Sequence, residues 1–204
     1  PVQAFNIVEK LKFDLRRIEK LGRPIVAAIN GAALGGGLEI ALCCNHRIAL
    51  NNPKTKIGFP EVTLGILPTA GGLIRTTRLI GLEAALPFLL DGKQATPSLA
   101  KKLGIIDDTA DDIKELFSKA KQYILANPEK LQQWDTKDYK MPGGNANDPK
   151  IAQMLSIAPA MLSKKTNGNY PAPEAILSAA VEGSVVDFDT ASKIESRYFV
   201  ELAT

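Results

Sequence analysis

Residues 24–44, "PIVAAINGAALGGGLEIALCC", constrain the fold of this chain more than any other stretch. The run "PIVAAI" (24–29) is short, apolar and rich in β-branched residues, and it reads as a strand buried on both faces. Asn30 and Gly31 turn the chain. The helix expected from about Gly36 to Asn45 is apolar nearly all round, so it has to lie inside the domain. Between the two stand Gly35, Gly36 and Gly37. Such a triplet leaves backbone N–H groups uncovered by any Cβ. Those N–H groups are also the free donors of a helix N-terminus, where the dipole favours negative charge. The site suits an oxyanion; the alternative is that the glycines serve tight strand-to-helix packing. Glu39 follows within the first turn of this apolar helix. Either it helps to cap its own helix, or it is a desolvated carboxyl of the kind that works as a general acid or base.

A second carboxylate bears on that choice. In "KIGFPEVTLGILPTAGG" (56–72), Glu61 follows Gly58, Phe59 and Pro60 at a strand end, flanked by apolar residues that make a poor water-facing loop. Two carboxylates in one apolar pocket push their proton affinities apart, leaving one acid and one base.

Around these motifs, strands alternate with helices. Apolar residues at 5, 7, 8, 11, 15, 18 and 21 predict an amphipathic helix that stops at Gly22 and Pro24. "HRIAL" (46–50) and "KIGF" (56–59) read as short strands. A helix spans about 71–80 and ends at Gly81; another follows through Pro87, and Thr96 with Pro97 caps the next. "GIID" (104–107) is expected as the last strand, and Asp111 and Asp112 open a helix through Leu125. Composition turns polar at 135–149, with two prolines and two glycines, which places a linker over 127–149. Helices at 150–163 and about 173–203 follow, with no further strand. The expectation is an α/β domain over 1–126, the linker, and a helical appendage over 150–204.

The bulk numbers narrow the function classes. Lys and Arg exceed Asp and Glu by 25 to 22 without any basic block, so charge gives no argument for a nucleic acid or a membrane surface. No run reaches the roughly 18 apolar residues of a spanning helix. Cys43 and Cys44, adjacent in an apolar run, suit buried reduced thiols and a reducing compartment. A small-molecule partner is the expectation.

"RPIVAAINGAALGGGLEIALCCNHRIA" followed by "IGFPEVTLGILPTAGGLIRTTRLIG" resembles the crotonase (enoyl-CoA hydratase/isomerase) superfamily over roughly residues 23–107. The later "GNYPAPEAILSAAVEGSVVDFDTASKIESRYFVELA" is similar to the segment that joins hydratase and dehydrogenase portions in multifunctional fatty acid oxidation α-subunits. The resemblance implies a spiral of ββα units and a thioester carbonyl held by two backbone N–H groups, one of them at Gly36. It implies that Glu39 activates the water, that Glu61 protonates Cα, and that Leu34, Gly35, Pro60 and Thr69 line the substrate. Thr69 replaces a glycine common in the family's turn. The implied substrate is an enoyl thioester of coenzyme A, with no cofactor in this portion and NAD only in a dehydrogenase portion beyond Thr204. An oligomer or a complex with a thiolase subunit is implied, in the bacterial cytoplasm or in a eukaryotic mitochondrial matrix or peroxisome.

The resemblance further implies that the upstream ββα units, with the second N–H donor, precede Pro1, so the chain by itself is expected to be nearly inactive. An isomerase relying on one carboxylate and a non-catalytic acyl-CoA binder or scaffold are the alternatives. Of the remaining residues, His46 has no ligand cluster around it at metal-binding spacing. Cys43 and Cys44 have no local base. Arg75 and Arg78 read as a solvated helix face, with coenzyme A phosphates as the other option, and Trp134 reads as an anchor for the appendage.

Overall fold

The computed structural model describes residues 1–204. Eight helices and six short strands follow in the order α1 (Val2–Glu19), β1 (Val26–Ile29), β2 (Ala33–Leu34), α2 (Gly36–Leu42), β3 (His46–Leu50), β4 (Ile57–Gly58), α3 (Gly72–Leu90), β5 (Gln94–Ala95), α4 (Pro97–Leu103), β6 (Asp108–Ala110), α5 (Ile113–Ala126), α6 (Pro149–Thr166), α7 (Pro171–Ser184) and α8 (Phe188–Ala203). The strands form two small sheets, ordered β1-β3-β6 and β2-β4-β5. Val26 pairs with His46 in the first sheet and Ala33 with Ile57 in the second, both in parallel. The ββα turns β1-β2-α2 and β3-β4-α3 each add one strand to each sheet and then a helix, as in the expected spiral, whereas β5 joins β4 antiparallel and β6 joins β3 only after α4.

Several local expectations are met for the stated reasons. Thr96 caps α4 by accepting the Leu99 N–H, with Pro97 in the first turn. Asp112 caps α5 through the Glu115 N–H. Gly81 (φ +78°) breaks α3 into two helical halves.

Other expectations need correction. The strand placed at 104–107 lies at Asp108–Ala110 instead; Gly104 (φ +82°) ends α4 in a left-handed turn that uses up those residues. The stretch 173–203 is two helices, because Asp187 caps a new start by accepting the Thr190 N–H. β1 is half-buried along most of its length, as the edge of its sheet. α2 is buried on one side only, and Ile40 is exposed on the other. The inward stripe of α1 is Val8, Lys12, Leu15 and Glu19, while Ile7, Leu11 and Leu21 face outward.

The expected linker is laid down against the body. Gln132 donates to the Cys43 carbonyl at 2.7 Å and the Tyr139 hydroxyl to that of Arg78 at 2.8 Å. A Cβ on Gly81 would meet the Pro142 carbonyl oxygen at 2.1 Å. Trp134 does act as an anchor, stacking on Phe188 of α8 with ring centroids 5.7 Å apart. The helices beyond are equally integrated: one apolar core runs from Ile29, Leu38 and Leu42 through Leu73 and Leu89 to Ile176, Ala179 and Ala191.

Candidate active site

The strand-to-helix turn at the glycine triplet is tight. Gly35 (φ +54°) donates its N–H to the Gly58 carbonyl at 2.9 Å, and its own carbonyl accepts from Leu38 and Glu39. Gly36 is the first residue of α2, so the helical ladder offers its N–H no partner. No hydrogen bond outside the ladder takes that N–H, Gly36 is exposed, and nothing lies within 4 Å of where a Cβ would stand. The donor that the sequence suggested is therefore free and reachable.

Glu39 is 4% exposed and points away from its own helix. Its Oε1 accepts the Ala70 N–H at 2.6 Å and the Gly72 N–H at 2.8 Å, the amides that open α3. The reading in which it caps its own helix is thus replaced by one in which it caps the next. Burial, the nearby Glu195 and Glu61, and the two opposing amide bonds together place its proton affinity at about 8, far above the ordinary 4.5.

Glu61 opens a 3-10 turn (Glu61–Leu64) that follows Pro60. Its Oε1 lies so close to Gly35 that a Cβ there would sit 2.5 Å from it. Burial raises this carboxyl too, and its Oε2 has no hydrogen-bond partner in the protein. The turn is clamped from the far end of the chain: the Tyr170 hydroxyl donates to the Val62 carbonyl and accepts from the Gly65 N–H.

Glu61 thus stands against Gly35, next to the free Gly36 amide, and Glu39 lies near enough to feel the Glu61 charge. Leu34 ends β2 beside Gly35 and pairs with Gly58, and Pro60 precedes Glu61; both are half-buried. Thr69 is half-buried one residue before the Ala70 amide, with its hydroxyl turned back to the Leu67 carbonyl at 2.9 Å. Gly35→Ala is expected to push the Glu61 carboxylate aside. Activity should fall about 100-fold, as a misplacement of roughly 1 Å commonly costs, with a stability loss of only about 1–3 kcal/mol from the positive φ. Parallel rate and urea-unfolding measurements check this, and unchanged activity would contradict the placement of Glu61.

The expected solvated face of Arg75 and Arg78 is overturned. Both are buried, because the inward side of α3 has to carry them to carbonyls and a carboxylate. Arg75 grips Glu19 through Nε–Oε1 at 2.8 Å and Nη2–Oε2 at 3.1 Å, and its Nη1 donates to the Ala70 carbonyl at 2.9 Å. Arg78 donates to the Gly183 and Val186 carbonyls. Glu195 and Lys12 were not foreseen. Glu195 is fully buried, accepts the Gly71 and Ile74 N–H groups at 2.9 and 3.1 Å, and pairs with Lys12 at 2.7 Å. The signal was present: Glu195 falls four residues after Ala191 on the buried stripe of α8, and Lys12 falls between Val8 and Leu15. His46 stacks on Tyr123 at 4.0 Å, and the Cys43 thiol is pushed up to about 12 by burial.

A ββα spiral whose helix N-terminus offers a free amide near buried carboxyls has the makings of a site that polarises a carbonyl oxygen and moves protons beside it. The sequence model of the enoyl-CoA hydratase/isomerase family matches residues 4–138, and the chain belongs to that family. It is 40% identical over 187 residues to the fatty acid oxidation complex subunit alpha of Shewanella halifaxensis, covering 91% of this chain and 26% of that protein. Identity to the Vibrio parahaemolyticus counterpart is 39%, covering 92% and 26%. The chain therefore spans about a quarter of the length of these relatives. Among solved structures, it matches an enoyl-CoA hydratase from Bacillus anthracis with a TM-score of 0.50 at 25% identity, covering 98% of this chain and 62% of that one. An enoyl-CoA hydratase from Thermoplasma volcanium shares the fold, with a TM-score of 0.56 at 23% identity, covering 100% and 64%.

Proposed function

We propose that this chain carries the hydration site of an enzyme that adds water across the 2,3 double bond of a trans-2-enoyl thioester of coenzyme A, giving the 3-hydroxyacyl thioester. In this reading the Gly36 N–H polarises the thioester carbonyl toward an enolate, an interaction worth about 3 kcal/mol of barrier. Glu39, whose affinity for a proton is raised to about 8, acts from its ionised form and takes a proton from water as the water oxygen bonds to C3. Glu61 delivers a proton to C2, and Leu34, Gly35, Pro60 and Thr69 border the acyl chain. Water addition is redox-neutral, so these steps call on no electron carrier. The observation that carries the reading is an unused helix-terminal amide with Glu61 against the adjoining Gly35 and a buried Glu39 within reach of the Glu61 charge.

The names of the longer relatives support placing the chain within a bifunctional hydratase/3-hydroxyacyl-CoA dehydrogenase of fatty acid oxidation. There NAD would serve the dehydrogenase portion and a thiolase subunit would be the partner. No helix is long and apolar enough to cross a membrane; a reducing cytoplasm agrees with the two buried free thiols.

The test is loss of enoyl absorbance with crotonyl-CoA, run on the chain and on a version extended to the full length of the hydratase fold. The extended protein should turn over, and the 204-residue chain should remain near background because it supplies one of the two carbonyl donors. Tight acyl-CoA binding without turnover by the extended protein would instead support a scaffold. In Glu39→Gln of the extended protein, selective loss of hydration with isomerisation retained would favour distinct roles for the two carboxyls over a single-carboxylate isomerase.

A further inference from the structure

Four of the amides around the start of α3 are divided between two carboxylates. Ala70 and Gly72 donate to Glu39, while Gly71 and Ile74 donate to Glu195. Glu39 comes from α2 and Glu195 from α8, so residues 156 positions apart share one ledge. Gly71 can take part only as a glycine: its φ is +94°, and a Cβ would stand 1.8 Å from the Arg75 Nη1. On its other side Glu195 is tied to Lys12 of α1, whose ammonium also donates to the Ser192 carbonyl at 2.7 Å and to the Ser196 hydroxyl at 2.8 Å. Lys12 is 5% exposed and Glu195 fully buried, so neither charge is dissipated in water.

We propose that Glu195, held by Lys12, is a positioning residue for Glu39: it anchors the α3 amides that grip the Glu39 carboxyl and lays a second negative charge behind it. The inference rests on the reading of Glu39 as the base. The physical argument has two parts. A helix N-terminus carries roughly half a positive charge, which two carboxylates here divide; with Glu195 taking its share, Glu39 is stabilised less as an anion and keeps more affinity for a proton. The burial around Glu39 also keeps the charge of Glu195 from being screened. The other charged groups facing this cluster are Glu61 across the site, Arg75 with Glu19 on the far side of the Ala70 turn, already paired with each other, and Glu9 of α1, which accepts from the Ser196 hydroxyl at 2.6 Å behind Lys12. The neighbouring Cys43 thiol is neutral, being pushed up to about 12. Glu195 and Lys12 are thus the pair whose removal changes the field at Glu39 without touching the carboxyls or the Gly36 amide.

The test is the titration of the Glu39 side-chain carbon by carbon-13 NMR in the glutamate-labelled 204-residue chain, with the resonance assigned by its absence in Glu39→Gln. In Glu195→Gln the midpoint should fall by about one pH unit or more, the shift expected for loss of a close like charge. In Lys12→Met, a near-isosteric change that leaves Glu195 without its cation, the midpoint should rise. Opposite movements are a signature that simple loosening of the fold does not produce. A midpoint that stays put in Lys12→Met, or moves the same way in both variants, overturns the proposal; Lys12→Met decides alone if Glu195→Gln does not fold. This readout needs no turnover. In the extended enzyme the acid limb of kcat should follow the NMR midpoint; if the midpoint moves and the limb does not, the assignment of Glu39 as the base fails while its linkage to Glu195 stands.

Discussion

Replacing Glu39 by glutamine is expected to lower the hydration rate about 100- to 10,000-fold, the usual contribution of a positioned general base, and at the same time to make the protein more stable above neutral pH. The two effects have one cause. The Glu39 carboxyl is held at about 8 in the fold against 4.5 for the ordinary group. Below 4.5 both folded and unfolded chains carry this proton, and the group contributes no pH dependence. Between 4.5 and 8 the unfolded chain has released the proton and the folded one has not, so stability falls as pH rises, by about 1.4 kcal/mol per unit. Above 8 the whole penalty has been incurred. Glutamine removes that slope, and its side-chain oxygen can still accept from Ala70 and Gly72. Urea unfolding of both proteins at pH 5 and pH 8.5 should show near-equality at the lower pH and a gain for the variant of a few kcal/mol at the higher one. A difference independent of pH would mean that Glu39 is not titrating in the buried state described, and would remove the support for its basicity.

The largest loss of stability is expected from Glu19→Ala. Its carboxylate is fully buried and meets the Arg75 guanidinium through two hydrogen bonds, with Arg16 Nη1 a further 3.0 Å away. Arg16 keeps Asp135 as a second partner, but Arg75, 1% exposed, would retain only the Ala70 carbonyl. Stripping the partner from a buried charge costs about 3–5 kcal/mol. Because Arg75 spans from Glu19 to the turn that presents Ala70 and Gly71, the loss should reach the amides that hold Glu39. The unfolding midpoint should drop sharply at an unchanged denaturant slope, and Glu19→Gln, which keeps an acceptor, should lose less. A cost under about 1 kcal/mol would show that the guanidinium finds water or another acceptor when the pair is broken.

The features that mark the candidate site in the sequence are local. The triplet, Glu39 and Glu61 sit in short segments whose apolar flanks make a carboxylate conspicuous; the structure sets Glu61 against Gly35 and seats Glu39 on the Ala70 and Gly72 amides. What the sequence hid is set by long-range packing. α1 looked like an ordinary amphipathic helix, yet its inward stripe includes Lys12 and Glu19, while Ile7 and Leu11 face out. Polar residues on that face make sense only once Glu195 and Arg75 arrive from α8 and α3. Arg75 and Arg78 misled for the same reason: helical spacing is the same for a solvated face and for a buried one whose partners lie far along the chain. The two-residue strands β2 and β5 give no periodicity to detect. Residues 127–149 have the composition of a linker, but Gln132, Trp134 and Tyr139 fasten them down, and such fastening depends on single contacts that composition does not encode.

The reach of Lys12 to Ser196, 184 positions away, has a consequence for how the molecule is made. During synthesis every strand emerges before Ile176, Ala179 and Ala191 do, so the nascent spiral waits with one flank of its apolar interior open to the cell. Closure comes only when α7 and α8 leave the ribosome. Slow translation of that stretch would prolong the interval in which the exposed flank can find the wrong neighbour.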